Sequence, residues 1–506
     1  MRKIFLIILI PLVNNSQNNQ IYIDGMFEDW NNITSYIDED EDNIENGIDF
    51  IKFAVTNDSK YLYIKFETSS EIDLSDGTDN IELMIDTDNN SATGWQPSLN
   101  NNIGVELGIM FNQRFVWYNE PDPDLQLSFY DIGIYPAPTV TSKTFEIAIN
   151  LEAIYNEIAL FPQSEIKLQI IDWNSLDKTV EIIYNTNENN INYNPINITK
   201  ESENLIRLTA YNTLSNGFNN ENRLPKIKNT IQALNADIFA FSECANTSEE
   251  TVKSILDEII PLELITGWFL VKKENDDLIL ASKYPIIEHW PNESNGINSM
   301  HPCLIDLPDN IYAKDLLVIN AHMSCCDNDS NRQNQADDFV NFILDAKNTG
   351  GEITLEPETP FILCGDLNLV GLSQQLTTII SGEIIDTNTY GAGGGMNWLN
   401  NNLKDQICWN TELPLSYTWR DLYPGEDVPG SYPPGRLDFI IFSDDVMTAN
   451  KSFSIDTEFM SQENLNSYDL NYDDSSGSDH LAITTDFEIP LKLSIDSIQK
   501  TKKIIK

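Results

Sequence analysis

The chain has 506 residues, which is too long for one ordinary domain and predicts two or three. Its formal net charge of −49 argues against charge-driven binding to DNA or to anionic membranes, because such binding needs Lys and Arg to neutralise phosphates. The same acidity favours solubility and offers many carboxylates to divalent cations.

The N-terminus has the layout of a secretory signal peptide. Arg2 and Lys3 precede a run of ten mainly apolar residues, Ile4 to Val13, and a polar stretch follows. The run is too short to span a bilayer. We therefore predict a signal peptide over residues 1–17, no transmembrane segment, and a secreted protein that is extracellular or held at the cell surface.

Short apolar strands separated by polar turns continue to about Tyr193. Runs such as 61-YLYIKFET-68 and 81-IELMID-86 are bounded by clusters of Asn, Asp, Gly and Pro. This pattern predicts an antiparallel β-sandwich over residues 20–193, called the first domain below. A polar, Asn-rich stretch without periodicity follows, and we predict a linker over residues 194–203.

Strands alternate with helices in the second domain, residues 204–489, which predicts a layered α/β or α+β fold. Helical spacing of apolar residues appears over 224–234 and 332–347. A short basic tail, residues 490–506, ends the chain. The predicted strands are 205–212, 237–244, 278–282, 315–323, 360–364, 437–443 and 481–489.

Six cysteines would meet an oxidising compartment after export. Cys325 and Cys326 are adjacent, so they predict either a vicinal disulfide or a pairing of one of them with Cys303. The spacing is not that of a zinc site.

Six strand ends of the second domain carry carboxylates, amides or imidazoles. Two of the chain's four histidines are among these residues. Such a repertoire binds a hard cation through oxygen ligands and activates water against a phosphate ester. The residues are Asn212, Glu243, Asn320, His322, Asp366, Asn368, Asp438, Asp479 and His480.

This set resembles the endonuclease/exonuclease/phosphatase superfamily, which includes DNase I, exonuclease III-type repair nucleases, neutral sphingomyelinases and inositol-phosphate 5-phosphatases. The resemblance covers about residues 204–489. It implies a DNase I-like two-layer β-sandwich flanked by helices. Together with the all-β sandwich domain that the strand pattern predicts before it, the expected fold class is α+β. The matching motifs are Asn212, Glu243, 320-NAH-322, 365-GDLN-368, 436-RLD-438 and 478-SDH-480.

The resemblance implies a metal site. Glu243 would bind a catalytic Mg²⁺ or Mn²⁺, with Asn212 and Asp479 close by. Carboxylate and amide oxygens are the ligands that these hard cations prefer.

The resemblance also implies catalytic roles. His480 would be the general base or water-orienting group, with Asp438 holding its imidazole in one tautomer. Asp366 and Asn368 would orient water and a phosphate oxygen. His322 would hydrogen-bond the phosphoryl group and stabilise charge in the transition state.

Two departures separate the chain from the repair nucleases. Thr213 and Leu214 follow the first-strand Asn where those enzymes carry an acidic residue, and His322 stands where they have Tyr. Both differences favour the DNase I, sphingomyelinase and phosphatase side of the superfamily. The stretch 323–339 resembles loops of secreted bacterial members, and within it Arg332 is a candidate phosphate contact.

The first domain resembles family 9 carbohydrate-binding modules over about residues 20–193. The opening 21-IYIDGMFEDW-30 and the loop that ends 81-IELMIDTDNNSATGW-95 carry the resemblance. It implies a glycan partner. Within the acidic loop, Asp86, Asp88 and Asn90 predict a structural Ca²⁺ site.

We therefore expect an exported, monomeric, divalent-metal-dependent phosphoesterase that attacks phosphodiesters with activated water, in the manner of a nuclease. Residues 204–490 hold 15 Lys and Arg against 44 Asp and Glu and show no basic patch, which disfavours tight duplex binding. Lipid headgroups are therefore an alternative substrate, by a phospholipase C or sphingomyelinase activity, and so are phosphomonoesters. An alternative of another class is a non-catalytic, glycan-binding surface protein.

Overall fold

The computed structural model describes residues 20–38, 47–98, 102–119, 126–187, 191–263, 265–274, 276–291, 297–351, 353–421 and 430–492. The predicted signal peptide, 1–17, and most of the predicted tail, 490–506, lie outside the described residues. Within the described part of the chain, no helix has both the length and the apolar character needed to cross a membrane.

Short antiparallel strands build the first domain. They are Ser35–Ile37 (β1), Phe50–Asn57 (β2), Tyr61–Ile72 (β3), Ile81–Asp86 (β4), Leu107–Met110 (β5), Phe115–Tyr118 (β6), Gln126–Leu127 (β7), Ile134–Ala137 (β8), Ser142–Asn150 (β9), Ile154–Tyr155 (β10), Ile158–Ala159 (β11), Glu165–Asp172 (β12) and Ile182–Asn185 (β13). One sheet has the order β1-β2-β3-β9-β8 and a second has the order β13-β12-β4-β5-β6-β7, while β10 and β11 pair separately.

The two sheets of the first domain pack face to face. Phe53 and Ile64 of the first sheet are buried in the same cluster as Leu83 and Ile109 of the second. Successive side chains of a strand point to opposite faces, so each sheet presents one apolar face to the other. A short helix, Phe129–Ile132 (α1), joins β7 to β8.

Two further sheets form the second domain. Their strands are Ile206–Asn212 (β14), Ile238–Ser242 (β15), Phe269–Lys272 (β16), Ile279–Ser282 (β17), Ile286–His289 (β18), Met300–Ile305 (β19), Leu316–His322 (β20), Phe361–Asp366 (β21), Lys404–Asp405 (β22), Trp409–Asn410 (β23), Asp438–Phe442 (β24), Thr448–Ser454 (β25) and Ile483–Glu488 (β26). The orders are β16-β17-β15-β14-β26-β25-β23 and β18-β19-β20-β21-β24-β22.

Helices cover the outer faces of these two sheets. In the helix after β14, Ile227, Ile231 and Leu234 recur every three or four residues and are buried on its inner face. The α-helices are Leu224–Leu234 (α2), Glu249–Ile259 (α3), Asp329–Lys347 (α4), Gln374–Ser381 (α5), Thr387–Tyr390 (α6) and Gln462–Ser467 (α7).

An apolar layer holds the two sheets of the second domain together. Leu208 and Ala240 of the seven-stranded sheet are buried in one cluster with Val318 and Ile362 of the six-stranded sheet. The predicted fold class is therefore confirmed: a mixed α+β domain, built on two packed sheets with outer helices, follows an all-β region.

The two domains share an apolar interface. Ile23 forms a parallel bridge with Leu415, and both lie in one buried cluster with Tyr63 and Tyr135. The segment predicted as a linker, 194–203, also lies against the second domain, since it carries a buried isoleucine, Ile198. The first domain is therefore packed onto the second rather than held at a distance from it.

Candidate active site

The strand directions bring the predicted site residues to one edge of the second domain. β14 and β15 run parallel, with Asn212 at the end of the first and Glu243 directly after the second. β20 and β21 also run parallel, and their last residues, His322 and Asp366, are opposite each other. Antiparallel β24 begins at the same edge, where Asp438 is opposite Asp366. Because parallel strands end at a common edge, these side chains converge.

Asp366 lies at the centre of this group. Its Oδ2 accepts a hydrogen bond from Asn212 Nδ2 at 3.0 Å and lies 3.5 Å from Nε2 of His480 and 3.6 Å from Nε2 of His322. Burial raises the pKa of the Asp366 carboxyl to about 6, against the influence of His480. The residue before it must be Gly365, since φ is +128° and a Cβ would lie 2.1 Å from a neighbouring carbonyl oxygen.

His480 and Asp438 form a buried pair. His480 Nδ1 lies 2.8 Å from Asp438 Oδ2, and the Asp438 backbone N–H donates to Thr418 Oγ1. Burial lowers the pKa of His480, but the charges of Asp438 and Asp366 outweigh it and raise the pKa to about 10. The carboxylate thus fixes which ring nitrogen faces the site.

A second imidazole is held in the same way by a residue that the sequence did not single out. His322 Nδ1 lies 2.7 Å from Asp277 Oδ2. Burial lowers the pKa of His322, but the hydrogen bond to Asp277 and the nearby carboxylates raise it to about 9. Asp277 directly precedes the strand 278–282 in the sequence. That position beside a strand is the one sequence signal that could have indicated a role for Asp277 in the site.

Glu243 is half-buried at the mouth of the group. Its Oε1 accepts from Asn212 Nδ2 at 3.0 Å and its Oε2 accepts from Ser215 N–H at 2.5 Å. Burial raises the pKa of Glu243, but these hydrogen bonds outweigh it and hold the pKa below its usual range. Its backbone φ is +57°, a left-handed conformation that is uncommon outside glycine.

The donor set fits a divalent cation. Asp366, Asp438 and His480 each offer one ligand atom within 4.8 Å of the others, and Asp438 Oδ1 is buried without a hydrogen-bond partner. Glu243 and Asn212 add further oxygen atoms at the mouth. Hard divalent ions favour such oxygen-rich sites, so the residues present fit the metal that the sequence predicts. The three clustered residues are ones that the sequence predicts as catalytic groups, and the assignment of the metal to Glu243, Asn212 and Asp479 stays a prediction.

The remaining predicted residues border the group. Asp479 Oδ2 accepts from Trp419 Nε1 at 3.2 Å, and Ser478, which precedes it, donates to the Asn212 carbonyl. Asn368 donates its backbone N–H to Asp366 Oδ1 and its Nδ2 to a backbone carbonyl. Asn368 thus orients Asp366, whereas the predicted contact of its amide with a phosphate oxygen stays a prediction. Asn320 lies further back, since its Nδ2 donates to carbonyls of β15 and β17.

Arg332 is not placed as a phosphate contact, and this corrects the sequence-based prediction. Its side chain is 1% exposed. The guanidinium donates to the carbonyls of Ser324, Cys326 and Val370 and to the Asp329 carboxylate. Buried charges require such partners, so Arg332 anchors the loop after His322 to the start of α4.

This placement predicts a stability effect. Arg332→Met is expected to lower the free energy of unfolding by about 3 kcal/mol, because it leaves Asp329 and several carbonyls without their donor. Urea unfolding monitored by circular dichroism measures it, with exposed Lys492→Met as the control. A raised KM at unchanged stability would instead support the phosphate-contact role.

The loop that follows β20 carries the adjacent cysteines. Cys325 and Cys326 are exposed and free, with their sulfur atoms 2.7 Å apart. Cys303 is buried within β19. None of the six cysteines forms a disulfide in the structure, so neither predicted pairing is present, although the adjacent thiols are close to each other.

The acidic loop of the first domain also gathers carboxylates. Asp86, Asp88 and Glu106 offer ligand atoms within 4.8 Å of one another. Asn90, which the sequence predicts as a third ligand, instead donates its backbone N–H to Asp86 and Asp88. Glu106 lies twenty residues further along the chain than Asp86 and outside the acidic loop, so the loop sequence did not indicate it as a ligand.

The comparisons with known proteins agree with this geometry. A model of the endonuclease/exonuclease/phosphatase family matches residues 209–480. No curated protein sequence matches the chain.

Several solved structures are similar to part of the chain. The human Nocturnin catalytic domain with bound sulfate anion is 15% identical, and the match covers 57% of this chain and 96% of that one, with a TM-score of 0.35. Beta toxin 275-280 from Staphylococcus aureus is 15% identical, covering 55% and 99%, with a TM-score of 0.33. An endonuclease/exonuclease/phosphatase family protein from Leptotrichia buccalis is 16% identical, covering 57% and 100%, with a TM-score of 0.33.

The family model spans more than half of the chain, and its two ends fall within β14 and at His480. The predicted enzyme class is thereby confirmed, and the non-catalytic alternative is set aside. The chain belongs to the endonuclease/exonuclease/phosphatase family and is a metal-dependent phosphoester hydrolase.

Proposed function

We propose that the protein is a secreted phosphodiesterase with nuclease-like chemistry, in which an activated water attacks phosphorus and displaces an alkoxide. The observation that carries this proposal is the buried Asp438–His480 pair. Asp438 occupies Nδ1 at 2.8 Å, which leaves Nε2 turned towards Asp366, at 3.5 Å, in the centre of the site. Asp438 thus gives the proton exchange at Nε2 a defined direction, and Nε2 would accept a proton once a bound cation offsets the carboxylate charge that raises the pKa of His480.

The chain's own residues divide the chemistry. His480 takes a proton from the attacking water through Nε2, and Asp438 stabilises the imidazolium that results. Asp366 lies 3.5 Å from that nitrogen and orients the water. His322, held by Asp277, donates a hydrogen bond to the phosphoryl group and stabilises its charge in the transition state.

Mg²⁺ or Mn²⁺ is the proposed cation. When bound, the ion supplies positive charge that polarises the phosphoryl oxygens and offsets the carboxylate charge that raises the histidine pKa values. Glu243 and Asn212 would hold the cation, because carboxylate and amide oxygens are its preferred ligands. The lowered pKa of Glu243 supports this role, since the carboxylate is ionised and ready to bind.

Nucleic acid is the first proposed substrate, and a second candidate has specific support. The second domain has 15 basic against 44 acidic residues, which disfavours a long polyanion. A phosphodiester that carries a cationic headgroup, as sphingomyelin does, suits such a surface better. A phosphomonoesterase activity is a third candidate, with the same water attack.

An activity panel on the mature protein separates these candidates. Plasmid DNA, RNA, sphingomyelin vesicles and p-nitrophenyl phosphate are each incubated with Mg²⁺, Mn²⁺ or Ca²⁺, in parallel with His480→Ala. Nicking of plasmid that is lost in the variant supports the nuclease. Turnover of lipid or monoester without nicking replaces it with a phospholipase or a phosphatase, and silence on every substrate contradicts the proposal.

We further propose export through the segment 1–17, a monomeric state, and glycan binding by the first domain. The charged start and apolar run of the N-terminus support export. The resemblance of 21–30 and 81–95 to family 9 carbohydrate-binding modules supports a glycan partner. Glycan binding is tested by measuring how much protein is retained on an immobilised polysaccharide, with and without free sugar as a competitor.

We also propose that the acidic loop of the first domain binds Ca²⁺ through Asp86, Asp88 and Glu106. Asp86 and Glu106 are buried, and Glu106 Oε1 has no hydrogen-bond partner. Burial and the neighbouring carboxylates raise the pKa of Glu106 to about 7. A bound cation would offset the repulsion between Glu106 and the carboxylates of Asp86 and Asp88.

Calcium is therefore expected to raise the melting temperature of the protein, and Glu106→Gln is expected to abolish that rise. Differential scanning calorimetry with Ca²⁺ or chelator measures it. Glu243→Gln, at the other site, is the control and keeps the calcium response. An equal response in wild type and Glu106→Gln would place the ion elsewhere.

A further inference from the structure

One short segment, residues 417–420, connects the two halves of the His480–Asp438 pair. On one side, Trp419 exchanges two backbone hydrogen bonds with Gly435, at 3.0 Å each. Thr418 Oγ1 accepts the backbone N–H of Asp438 at 2.9 Å. The position of Asp438 therefore depends on where the 417–420 segment lies.

The opposite side of the same segment holds the loop of His480. Arg420 N–H donates to the Asp479 carbonyl at 3.1 Å, and Leu481 N–H donates to the Thr418 carbonyl at 2.6 Å. The indole of Trp419 adds a hydrogen bond to the Asp479 carboxylate. A shift of the 417–420 segment would thus move the base and the carboxylate that orients it.

Two tyrosines of the first domain contact the 417–420 segment, one at each of its ends. The ring of Tyr135, on β8, stacks on Tyr417 with centroids 5.1 Å apart and an angle of 18°. Tyr130, on α1, places its hydroxyl against the Arg420 guanidinium and the Glu458 carboxylate. The Tyr130 ring also lies against that guanidinium, 4.9 Å from its carbon.

The buried charge of Arg420 restricts the contact between the two domains to one geometry. Its side chain is fully buried, and its guanidinium lies 2.9 Å from Glu458 and 3.6 Å from Asp456. A buried charge is stable only while its partners stay in place. Tyr130 is one of those partners, and it comes from the other domain.

We propose that the first domain is a structural part of the active site, in which Tyr130 and Tyr135 are positioning residues that hold Asp438 and His480 in register through the 417–420 segment. The inference rests on the proposed function for the roles of Asp438 and His480. It differs from the usual expectation for a binding module, which is a mobile unit joined by a small, polar interface.

Tyr130→Phe in the full-length mature protein tests the inference, because it removes only the hydroxyl. We expect kcat to fall about 10-fold to 100-fold with KM within twofold, since a small displacement of catalytic groups has an effect of that size. Tyr36→Phe, at an exposed position of the same domain, is the matched control and leaves kcat unchanged.

Hydrogen–deuterium exchange provides a readout independent of activity. The amides of Arg420 and Leu481 are expected to exchange at least tenfold faster in Tyr130→Phe, while those of β2 and β3 stay as in wild type. Tyr135→Leu, which removes the ring stacked on Tyr417, is expected to have the same local effect. If Tyr130→Phe unfolds the protein broadly, the exchange of the Arg420 and Leu481 amides in Tyr135→Leu decides whether the first domain holds the 417–420 segment.

Unchanged kcat together with unchanged exchange of these amides would overturn the inference. A raised KM with unchanged kcat would also overturn it, because the contact would then act on substrate binding. If the wild type hydrolyses no substrate, the proposed function fails, and the exchange of the two amides alone decides whether the first domain holds the segment.

Discussion

Asp438→Asn is expected to lower kcat by about 10³-fold to 10⁴-fold while leaving KM nearly unchanged. The amide can donate a hydrogen bond to Nδ1 of His480, which favours the tautomer with the ring proton on Nε2 and removes the base from the site. The backbone N–H of residue 438 keeps its bond to Thr418, so the fold around it is preserved.

Steady-state kinetics on the best substrate of the panel measures this effect, with circular dichroism as the check on folding. Asp309→Asn, the same change at an exposed turn, is the control. A loss of less than tenfold would mean that the Asp438–His480 pair is not the catalytic base.

Glu243→Gln has the second largest expected effect. The substitution keeps the shape and the bond from Asn212 to a side-chain oxygen, but removes the negative charge. The metal concentration for half-maximal activity should therefore rise at least about 10-fold, and kcat at fixed low metal should fall with it.

Titration of activity with Mg²⁺ and with Mn²⁺, and calorimetric titration without substrate, measure this shift. Glu221→Gln, an exposed change before α2, is the control. If metal dependence is unchanged in Glu243→Gln but altered in Asp366→Asn, the ion is bound by the Asp366, Asp438 and His480 cluster instead.

The elements of the second domain could be predicted because their patterns are local. Apolar runs that stop at a polar residue indicated β14, β20 and β21, and the spacing of Ile227, Ile231 and Leu234 indicated α2. The grouping of Asp366 and His480 in one site came from the resemblance of the strand-end motifs to a known superfamily. The structure supplies the physical reason for the convergence, because β14 and β15, and likewise β20 and β21, run parallel and end at a common edge.

The remainder depends on contacts between distant segments, which no local pattern records. The sequence predicts Arg332 as a phosphate contact, yet its side chain is buried and donates to the carbonyls of Val370 and Ser324, which belong to other segments. Asp277 reads as a turn residue. Its role appears only when β17 lies near His322 in the folded chain.

The domain interface could not be foreseen for the same reason. Tyr130 and Arg420 are 290 residues apart in the chain. The polar stretch 194–203 has the composition of a flexible linker, but Ile198 is buried in the second domain and Lys200 donates to Asp237 there, so the stretch is packed against that domain. Composition alone does not distinguish a flexible linker from a segment that is packed against a domain.

The metal-dependent role of His480 in phosphodiester hydrolysis is tested with bis(p-nitrophenyl) phosphate, which is incubated with the wild type or with His480→Ala in Mg²⁺, in Mn²⁺ or in chelator. We expect the wild type to release p-nitrophenol with metal, and the rate to fall by at least about 100-fold both in the variant and in chelator. Equal activity of the wild type and His480→Ala, or full activity in chelator, would contradict it.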